Sequence, residues 1–167
     1  REYIKGQEFS HVLGYMGKIT EEELKNNATY SSLDYMGKTG LEKYYEKYLR
    51  GADGVKQIEK DNLNKLKRVI AVNDPVPGDN LVLTINSGLQ KALFEALQKS
   101  VKANHSPGGA AIALDPRNGE ILALVSYPSF DNNLFFKGLS QEDFSNIFEN
   151  PEKPLIDRAI SGEYPPG

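Results

Sequence analysis

This chain cannot use a thiolate nucleophile, because its 167 residues contain no cysteine. A hydroxyl needs a neighbouring base, and one sequence pattern that supplies it is a serine followed three residues later by lysine. No serine or threonine here has that spacing; Ser126, for example, is followed by Ser129, and Ser161 by Tyr164. No serine stands in a G-x-S-x-G pattern either. The chain therefore carries no assembled nucleophile of a known class.

The triplet Lys38-Thr39-Gly40 is the second feature that could belong to a catalytic site. K-T-G accompanies S-x-x-K and S-D-N in a class of serine enzymes, and there it must lie on a strand edge facing the nucleophile. Here it directly precedes a tyrosine-rich stretch of helical spacing and lies far upstream of any candidate serine. We interpret it as the turn into a helix.

No metal or cofactor site is predicted. The two histidines, His11 and His105, are far apart, and zinc sites need three or four converging ligands. We interpret both as solvated or capping residues. The acidic residues 21–23 could bind a cation, but Thr20 and Glu23 have the spacing of a capping box, which predicts the first turn of a helix instead.

The composition is that of a globular protein with no obvious affinity for nucleic acid. The net charge is −3, and 26% of the residues are charged and 39% hydrophobic. No basic stripe with interleaved aromatic residues occurs, so nucleic-acid binding is not predicted. No apolar run approaches the roughly 18 residues of a membrane span, and no signal peptide is present. We interpret the chain, which begins without methionine, as an internal piece of a longer polypeptide.

The first half of the chain is polar and rich in tyrosine. Tyr44, Tyr45 and Tyr48 lie at helical spacing before Gly51, which predicts a helix packed against a core or a neighbouring subdomain; the alternative is a stacking platform for a sugar or base. The runs GVKQIEK and LKRVIAV flank the turn DNLN and predict a hairpin. The segment NDPVPGDN at 73–80 is the best linker, and we place a domain boundary there.

The second half contains the strongest structural signals. LVLTI at 81–85 is a strand candidate, and residues 87–104 predict a helix with a Ser87–Gln90 capping box. Its predicted apolar face consists of Leu89, Ala92, Leu93, Ala96, Leu97 and Val101. Two apolar runs around residues 115–119 predict a hairpin buried on both faces, and Ser140 caps a further short helix.

Five blocks of the sequence together resemble a known family. They are HVLGYMGKIT, MGKTGLEKYYEKYLRGADG, GDNLVLTINSGLQKAL, AAIALDPRNGEILALVSYPSFDNN and PLIDRAISGEYPPG. In this order they resemble the class B penicillin-binding proteins, the peptidoglycan D,D-transpeptidases, and most closely the elongation-type members. Asn86 departs from the usual aspartate after LTI, but either residue can cap the following helix.

The resemblance implies an α+β fold in two parts. Residues 1–76 would be the membrane-distal part of the pedestal (dimerisation-type) domain. Residues 77–167 would be the first helix and first hairpin of the transpeptidase domain. In the family, Tyr-Pro-Pro-Gly leads directly into the serine of S-x-x-K, so we expect the catalytic serine immediately after Gly167 and no catalytic, cofactor-binding or metal-binding residue within the chain.

The resemblance also implies the surroundings of the parent protein. Serine acyl transfer would crosslink stem peptides ending in D-Ala-D-Ala, and β-lactams would bind the parent but not this chain alone. The partners would be the glycosyltransferase and scaffold proteins of the elongation machinery. An upstream helix would anchor the parent, with these parts outside the cytoplasmic membrane.

Three interpretations stay open at this point. The chain is a non-catalytic fragment of the enzyme that acts as scaffold and partner contact. Alternatively, it is an independent cell-wall-binding or protein-binding module that kept the fold and lost the chemistry. In a third case the rest of the enzyme accompanies it as a separate, cleaved piece. A continuation of the gene into S-x-x-K would favour the first interpretation over the second.

Overall fold

The computed structural model describes residues 2–163 and combines short helices with antiparallel strand pairs. Within these residues there are eight α-helices, only one of them longer than six residues, and three two-stranded sheets. The predicted α+β class is confirmed. Over the same residues no helix is both long enough and apolar enough to cross a bilayer. The Tyr-Pro-Pro-Gly segment at 164–167 lies outside the described residues.

Two compact units divide the chain differently from its sequence order. The described residues of Arg1–Tyr44 and Leu83–Gly167 form one unit, and Tyr45–Val82 form the other. Residues 76–79 belong to the second unit, where Val76 pairs with Ala52 and the Asp79 N–H donates to the Tyr48 carbonyl at 2.8 Å. The division into domains at residues 76 and 77 remains a prediction.

Residues 2–44 form a strand pair surrounded by short helices. The elements are a 3₁₀ turn (Gln7–Phe9), α1 (Ser10–Leu13), β1 (Met16–Lys18), α2 (Glu21–Asn26), β2 (Tyr35–Gly37) and α3 (Gly40–Tyr44). β1 and β2 pair antiparallel. The predicted capping box of α2 is confirmed, since the Glu23 N–H donates to Thr20 Oγ1 and the Thr20 N–H donates to the Glu23 carboxylate.

The second unit contains α4 (Glu46–Leu49) and the hairpin of β3 (Val55–Lys60) and β4 (Leu66–Asn73). The hairpin confirms the prediction around DNLN. The prediction of a single tyrosine-rich helix is wrong, because the Tyr45 backbone is not helical (φ −103°, ψ 15°) and separates α3 from α4. Core packing of the tyrosines is also wrong: Tyr44 and Tyr48 are 79% and 56% exposed.

Residues 83–163 contain the one long helix and the second large hairpin. The elements are α5 (Ser87–Ala103), β5 (Gly109–Leu114), β6 (Ile121–Tyr127), α6 (Asn133–Lys137), α7 (Gln141–Phe144), a π-helical turn (Ser145–Glu149) and α8 (Arg158–Ser161). The predicted turn is confirmed, with the Gly119 N–H donating to Asp115 and Gly119 at φ +78°. The capping box of α7 joins Ser140 to Asp143, as Ser140 predicts.

Two predictions for this segment are wrong. Residues 81–85 are not a strand, because only the Thr84 hydroxyl and the Asn86 N–H bond to β6 carbonyls, and two bonds do not make a ladder. The hairpin is not buried on both faces, since Ile112 and Leu114 of β5 are 48% and 57% exposed. Both strands lack a further neighbour among the described residues, so only β6, which α5 covers, is well buried.

The first of the two compact units, formed by the described residues of Arg1–Tyr44 and Leu83–Gly167, has a core that brings residues from both ends of the chain together. Phe9 and Met16 are buried with α5 and β6 residues such as Phe94 and Val125. Aromatic rings continue this core, and Tyr15 stacks on Phe135 with centroids 3.6 Å apart. Burial of these side chains removes apolar surface from water, and each Å² removed stabilises the folded state by about 25 cal/mol.

Candidate functional site

Lys38-Thr39-Gly40 occupies a turn, as predicted, and its groups serve packing. The Lys38 ammonium pairs with the Glu23 carboxylate. That hydrogen bond, together with the Thr20 N–H, lowers the pKa of Glu23 to about 2. A Cβ on Gly40, at φ +58°, would stand 2.5 Å from the Gly14 nitrogen, so the two backbones cross where only glycine fits. The triplet faces no nucleophile among the described residues.

His11 is a structural residue, and its predicted solvated or capping role is wrong. Its Nε2–H donates to the Pro154 carbonyl at 2.8 Å, and its ring packs edge-on against Phe130 with centroids 5.3 Å apart. Burial lowers the pKa of His11. Ser10 Oγ lies 3.3 Å from His11 Nδ1, but Ser10 is 1% exposed and no substrate could reach it. His105 is exposed in a turn after α5, as predicted.

Gln90 makes the most connected polar contact in the molecule's core. Its side chain is fully buried; the amide nitrogen donates to Glu8 O at 2.6 Å and Leu124 O at 2.7 Å, while its oxygen accepts the Leu124 N–H at 2.8 Å. One amide thus closes the free edge of β6 at Leu124 and holds the start of the chain against it. The predicted Ser87–Gln90 capping box is wrong, since Asn86 caps α5 by accepting the Leu89 N–H.

The buried face of α5 differs from the predicted one because it includes Gln90. Gln90, Phe94 and Val101 are its buried residues, whereas Leu89 is 38% exposed. The predicted stripe counted only apolar residues. A fully hydrogen-bonded glutamine can occupy the centre of a core-facing stripe, because each of its polar atoms has a partner.

Two asparagines repeat this arrangement at the start of α6. Asn132 is 3% exposed, and its Nδ2 donates to the carbonyls of Ser10 and Gly14. Asn133 accepts the Tyr3 N–H at 2.9 Å and donates to Tyr3 O at 3.1 Å. We refer to Gln90, Asn132 and Asn133 as the amide clasp. The clasp binds residues 3–14 to the α5–β6–α6 segment through backbone groups.

The buried Ser126 hydroxyl also has a structural role. It is 2% exposed, donates to Ile156 O at 3.2 Å and accepts the Arg158 N–H at 2.9 Å. The hydroxyl joins β6 to the start of α8. With both hydrogen-bonding functions occupied, it has no general base beside it and cannot act as a nucleophile.

A cavity of about 680 Å³ is lined by residues of α1, α3, β6 and α8 and of the segments next to them. Its walls are mainly apolar and include Val12, Leu41, Ile85, Leu124 and Ile156. His11 and Asp157 also line it, but His11 is bonded to Pro154 and Asp157 caps α8 through the Ala159 N–H. The cavity can accept an apolar surface, and its lining provides no paired nucleophile and base.

The sequence contains weak signals for the clasp. Gln90 sits at the centre of a core-facing helix stripe, and Asn132 and Asn133 are adjacent amides before a short helix. Side chains of these types are usually read as caps. Their partners are 82, 118 and 130 residues away, so the sequence alone does not identify them.

Two family models match the chain. The model described as the penicillin-binding protein dimerisation domain matches residues 1–83. The model described as the penicillin-binding protein transpeptidase domain matches residues 109–167. They follow each other in the order that the sequence blocks predict.

Curated relatives match along the whole chain. Peptidoglycan D,D-transpeptidase MrdA of Acinetobacter baumannii is 41% identical over 169 residues, which is all of this chain and 24% of the relative. MrdA of Escherichia coli K12 is 37% identical over 99% of the chain and 26% of the relative. The chain thus spans about a quarter of the length of these relatives.

Solved structures share the fold. The Pseudomonas aeruginosa PBP2 in complex with WCK 5153 matches all of this chain and 32% of its own, with a TM-score of 0.76 and 36% identity. The PBP2 in a complex with MreC from Helicobacter pylori covers 93% of this chain and 28% of its own, with a TM-score of 0.76 and 31% identity. A chain from a peptidoglycan synthase complex matches with a TM-score of 0.72 and 35% identity.

Proposed function

The chain belongs to the class B penicillin-binding proteins, and we propose that it is a non-catalytic scaffold within a peptidoglycan D,D-transpeptidase. Residues 1–76 form the membrane-distal part of the pedestal, and residues 77–167 form the start of the transpeptidase domain. The chain itself supplies positioning and partner contact. The observation that carries this proposal is the amide clasp.

A scaffold of this kind has to hold one segment at a fixed place on another. Gln90 joins Glu8 to Leu124, and Asn132 joins α6 to the carbonyls of Ser10 and Gly14. The buried Gln90 amide, with partners for both its polar atoms, has few alternative arrangements, since breaking its bonds leaves unpaired backbone groups. The clasp is therefore suited to positioning the transpeptidase segment against the pedestal segment.

The reaction of the whole protein is then serine acyl transfer. The nucleophile attacks the D-Ala-D-Ala carbonyl of one stem peptide, D-alanine leaves, and an amine of a neighbouring peptide takes the acyl group. The sequence has no S-x-x-K within residues 1–167, so we propose that the serine is supplied from outside them, directly after Gly167. β-Lactams would acylate that serine, and this chain alone would not be an enzyme.

The proposed setting follows from the relatives. We propose that the parent works outside the cytoplasmic membrane, anchored by a helix upstream of this chain. Its partners would be a scaffold protein and a polymerising glycosyltransferase, as suggested by similar chains in a complex with MreC and in a peptidoglycan synthase complex. The apolar cavity and the exposed face of β5 would receive the remainder of the transpeptidase domain.

Fluorescent penicillin labelling tests the proposal. We expect a covalent band on a denaturing gel for the full product of the gene and none for the 167-residue chain. Labelling of the 167-residue chain would refute the assignment of the nucleophile. Absence of labelling from a folded full product would refute membership in an active transpeptidase and favour an independent binding module.

The clasp is tested in the full product by two substitutions on the same helix. Gln90→Leu removes the amide, and Gln98→Leu is the matched control, because Gln98 is half-buried and has no recorded hydrogen bond among the described residues. We expect slower acylation in the first variant and an unchanged rate in the second. Equal rates in both variants, with both proteins folded, would remove the clasp from the proposed function.

A further inference from the structure

The hairpin of β3 and β4 is an exposed ribbon with no covering element. All eight residues of β4 and five of the six in β3 are exposed. The strands pair only with each other within the part of the chain that the structure describes. A two-stranded ribbon is marginally stable alone, and a further strand or a covering surface stabilises it.

The register gives this ribbon one aliphatic face. Residues alternate across a strand, so Lys56, Ile58 and Lys60 point to the same side. Their direct partners on β4 are Val72, Val69 and Leu66. Two register shifts produce this pairing and set Val69, rather than Ile70, opposite Ile58. The face therefore combines four aliphatic side chains with two lysines.

The charge of the ribbon is opposite to that of the chain. Residues 55–73 contain five basic and two acidic residues, a net charge of +3 in a chain of net charge −3. Glu59 already pairs with Lys67 and Arg68 on β4. Lys56 and Lys60 have no recorded ion pair among the described residues, and both lie on the aliphatic face. This face is complementary to carboxylates next to aliphatic side chains.

The free edge of β4 indicates the kind of partner. Its eight residues span about 27 Å, and no hydrogen bond from their backbone beyond the pairing with β3 is recorded in the described part of the chain. An extended peptide can satisfy such groups by adding a strand, whereas a lipid surface cannot. A second copy of the chain is disfavoured because two ribbons of net charge +3 repel each other.

We infer that the β3–β4 ribbon is a docking surface for an extended protein segment that presents acidic and aliphatic residues in turn along one of its faces, at every second position. The segment adds to the edge of β4, with carboxylates opposite Val72 and Leu66 that reach over to Lys56 and Lys60, and with an aliphatic residue between them that packs on Val69. The inference rests on the proposed partner-contact role of the chain and is independent of the acyl-transfer chemistry.

Binding of a labelled peptide that carries glutamate and valine in turn at every second position, with threonine between them, tests this docking surface by fluorescence anisotropy. We expect the 167-residue chain to bind it, and a lysine–valine peptide of equal length not to bind. Lys56→Glu with Lys60→Glu should weaken binding by roughly tenfold or more, as should Leu66→Thr with Val69→Thr and Val72→Thr, which keeps β propensity. Lys99→Glu on α5 is the charge control and should change binding less than about twofold, since surface substitutions away from a site have small effects.

Three outcomes of the binding experiments would overturn the inference, and a fourth comes from a vesicle experiment. They are failure of the folded chain to bind the glutamate–valine peptide, binding that the Lys56/Lys60 variant retains, and concentration-dependent dimerisation through the ribbon. Cosedimentation with phosphatidylglycerol vesicles in place of peptide binding would also overturn it, in favour of a lipid surface. Penicillin labelling of the full gene product carrying Lys56→Glu and Lys60→Glu is measured in parallel. If the variant loses peptide binding and keeps penicillin labelling, the ribbon acts in partner contact and not in acyl transfer. The two measurements therefore test the docking surface and the proposed function separately.

Discussion

Replacing Gln90 by leucine should be among the most destabilising single changes in the chain. Leucine is similar in volume but cannot donate to Glu8 O and Leu124 O or accept from the Leu124 N–H, three bonds of 2.6–2.8 Å. The three backbone groups then stay buried without partners, at about 1–3 kcal/mol each. Allowing for relaxation, we expect a loss of about 3–5 kcal/mol, a large part of a typical total of about 5–15 kcal/mol.

Urea unfolding followed by circular dichroism measures this loss, with Gln98→Leu as the matched control on the same helix. We expect the control within about 0.5 kcal/mol of the unsubstituted chain. Hydrogen exchange gives a local readout, because the Leu124 amide should lose protection in the Gln90 variant. If both variants unfold at the same urea concentration and Leu124 stays protected, the amide does not hold β6 and the clasp is refuted.

Three further changes test other parts of the structure. Gly119→Val should destabilise by about 1 kcal/mol or more, because Gly119 has φ +78° and a Cβ there meets no atom within 4 Å, so the cost is one of backbone conformation; an unchanged melting temperature would contradict the turn. Glu23 has a pKa lowered to about 2, so its pair with Lys38 stabilises the fold above the unfolded value near 4.5 and is lost as pH falls toward 2; Lys38→Met should flatten melting temperature against pH in that window. His11 has a lowered pKa because it is buried, so the fold should lose stability as pH falls below 6.5; His11→Gln should remove that slope, and an identical pH dependence in both proteins would place the titrating group elsewhere.

Local structure was predictable from the sequence where the interacting groups are close along the chain. The capping box at Thr20, the helix cap at Ser140 and the turn ending at Gly119 depend on residues two to four positions apart, and all three are confirmed. Each has a side-chain or backbone requirement that few residue types meet.

Local structure was not predictable from the sequence where contacts with distant segments determine it. The apolar residues 81–85 predicted a strand, but only the Thr84 hydroxyl and the neighbouring Asn86 N–H bond to β6 carbonyls. The helix across residues 41–50 is broken at Tyr45 despite its spacing. Gln90 looked like a cap residue because its true partners, Glu8 and Leu124, are remote in sequence.

The sequence alone identifies missing motifs but does not identify the clasp. The sequence is sufficient to show that no serine or threonine has a lysine three residues later. The clasp required the fold, because amide side chains on α5 and α6 acquire a role only when residues 3–14 reach them. Local propensity contains no information about such partners.

The clasp is made of neutral groups, which determines how it responds to the surrounding solution. Dissolved ions screen interactions between charges, with a Debye length of about 8 Å at 0.15 M, but they have little effect on a buried hydrogen bond between an amide and a backbone carbonyl. The ion pairs of Glu59 with Lys67 and Arg68 on the exposed ribbon are of the kind that weakens as ionic strength rises. Gln90, Asn132 and Asn133 carry no charge to screen. The junction between the two ends of this chain should therefore keep its strength across media of very different ionic strength, in which the exposed ribbon changes its affinity for charged segments.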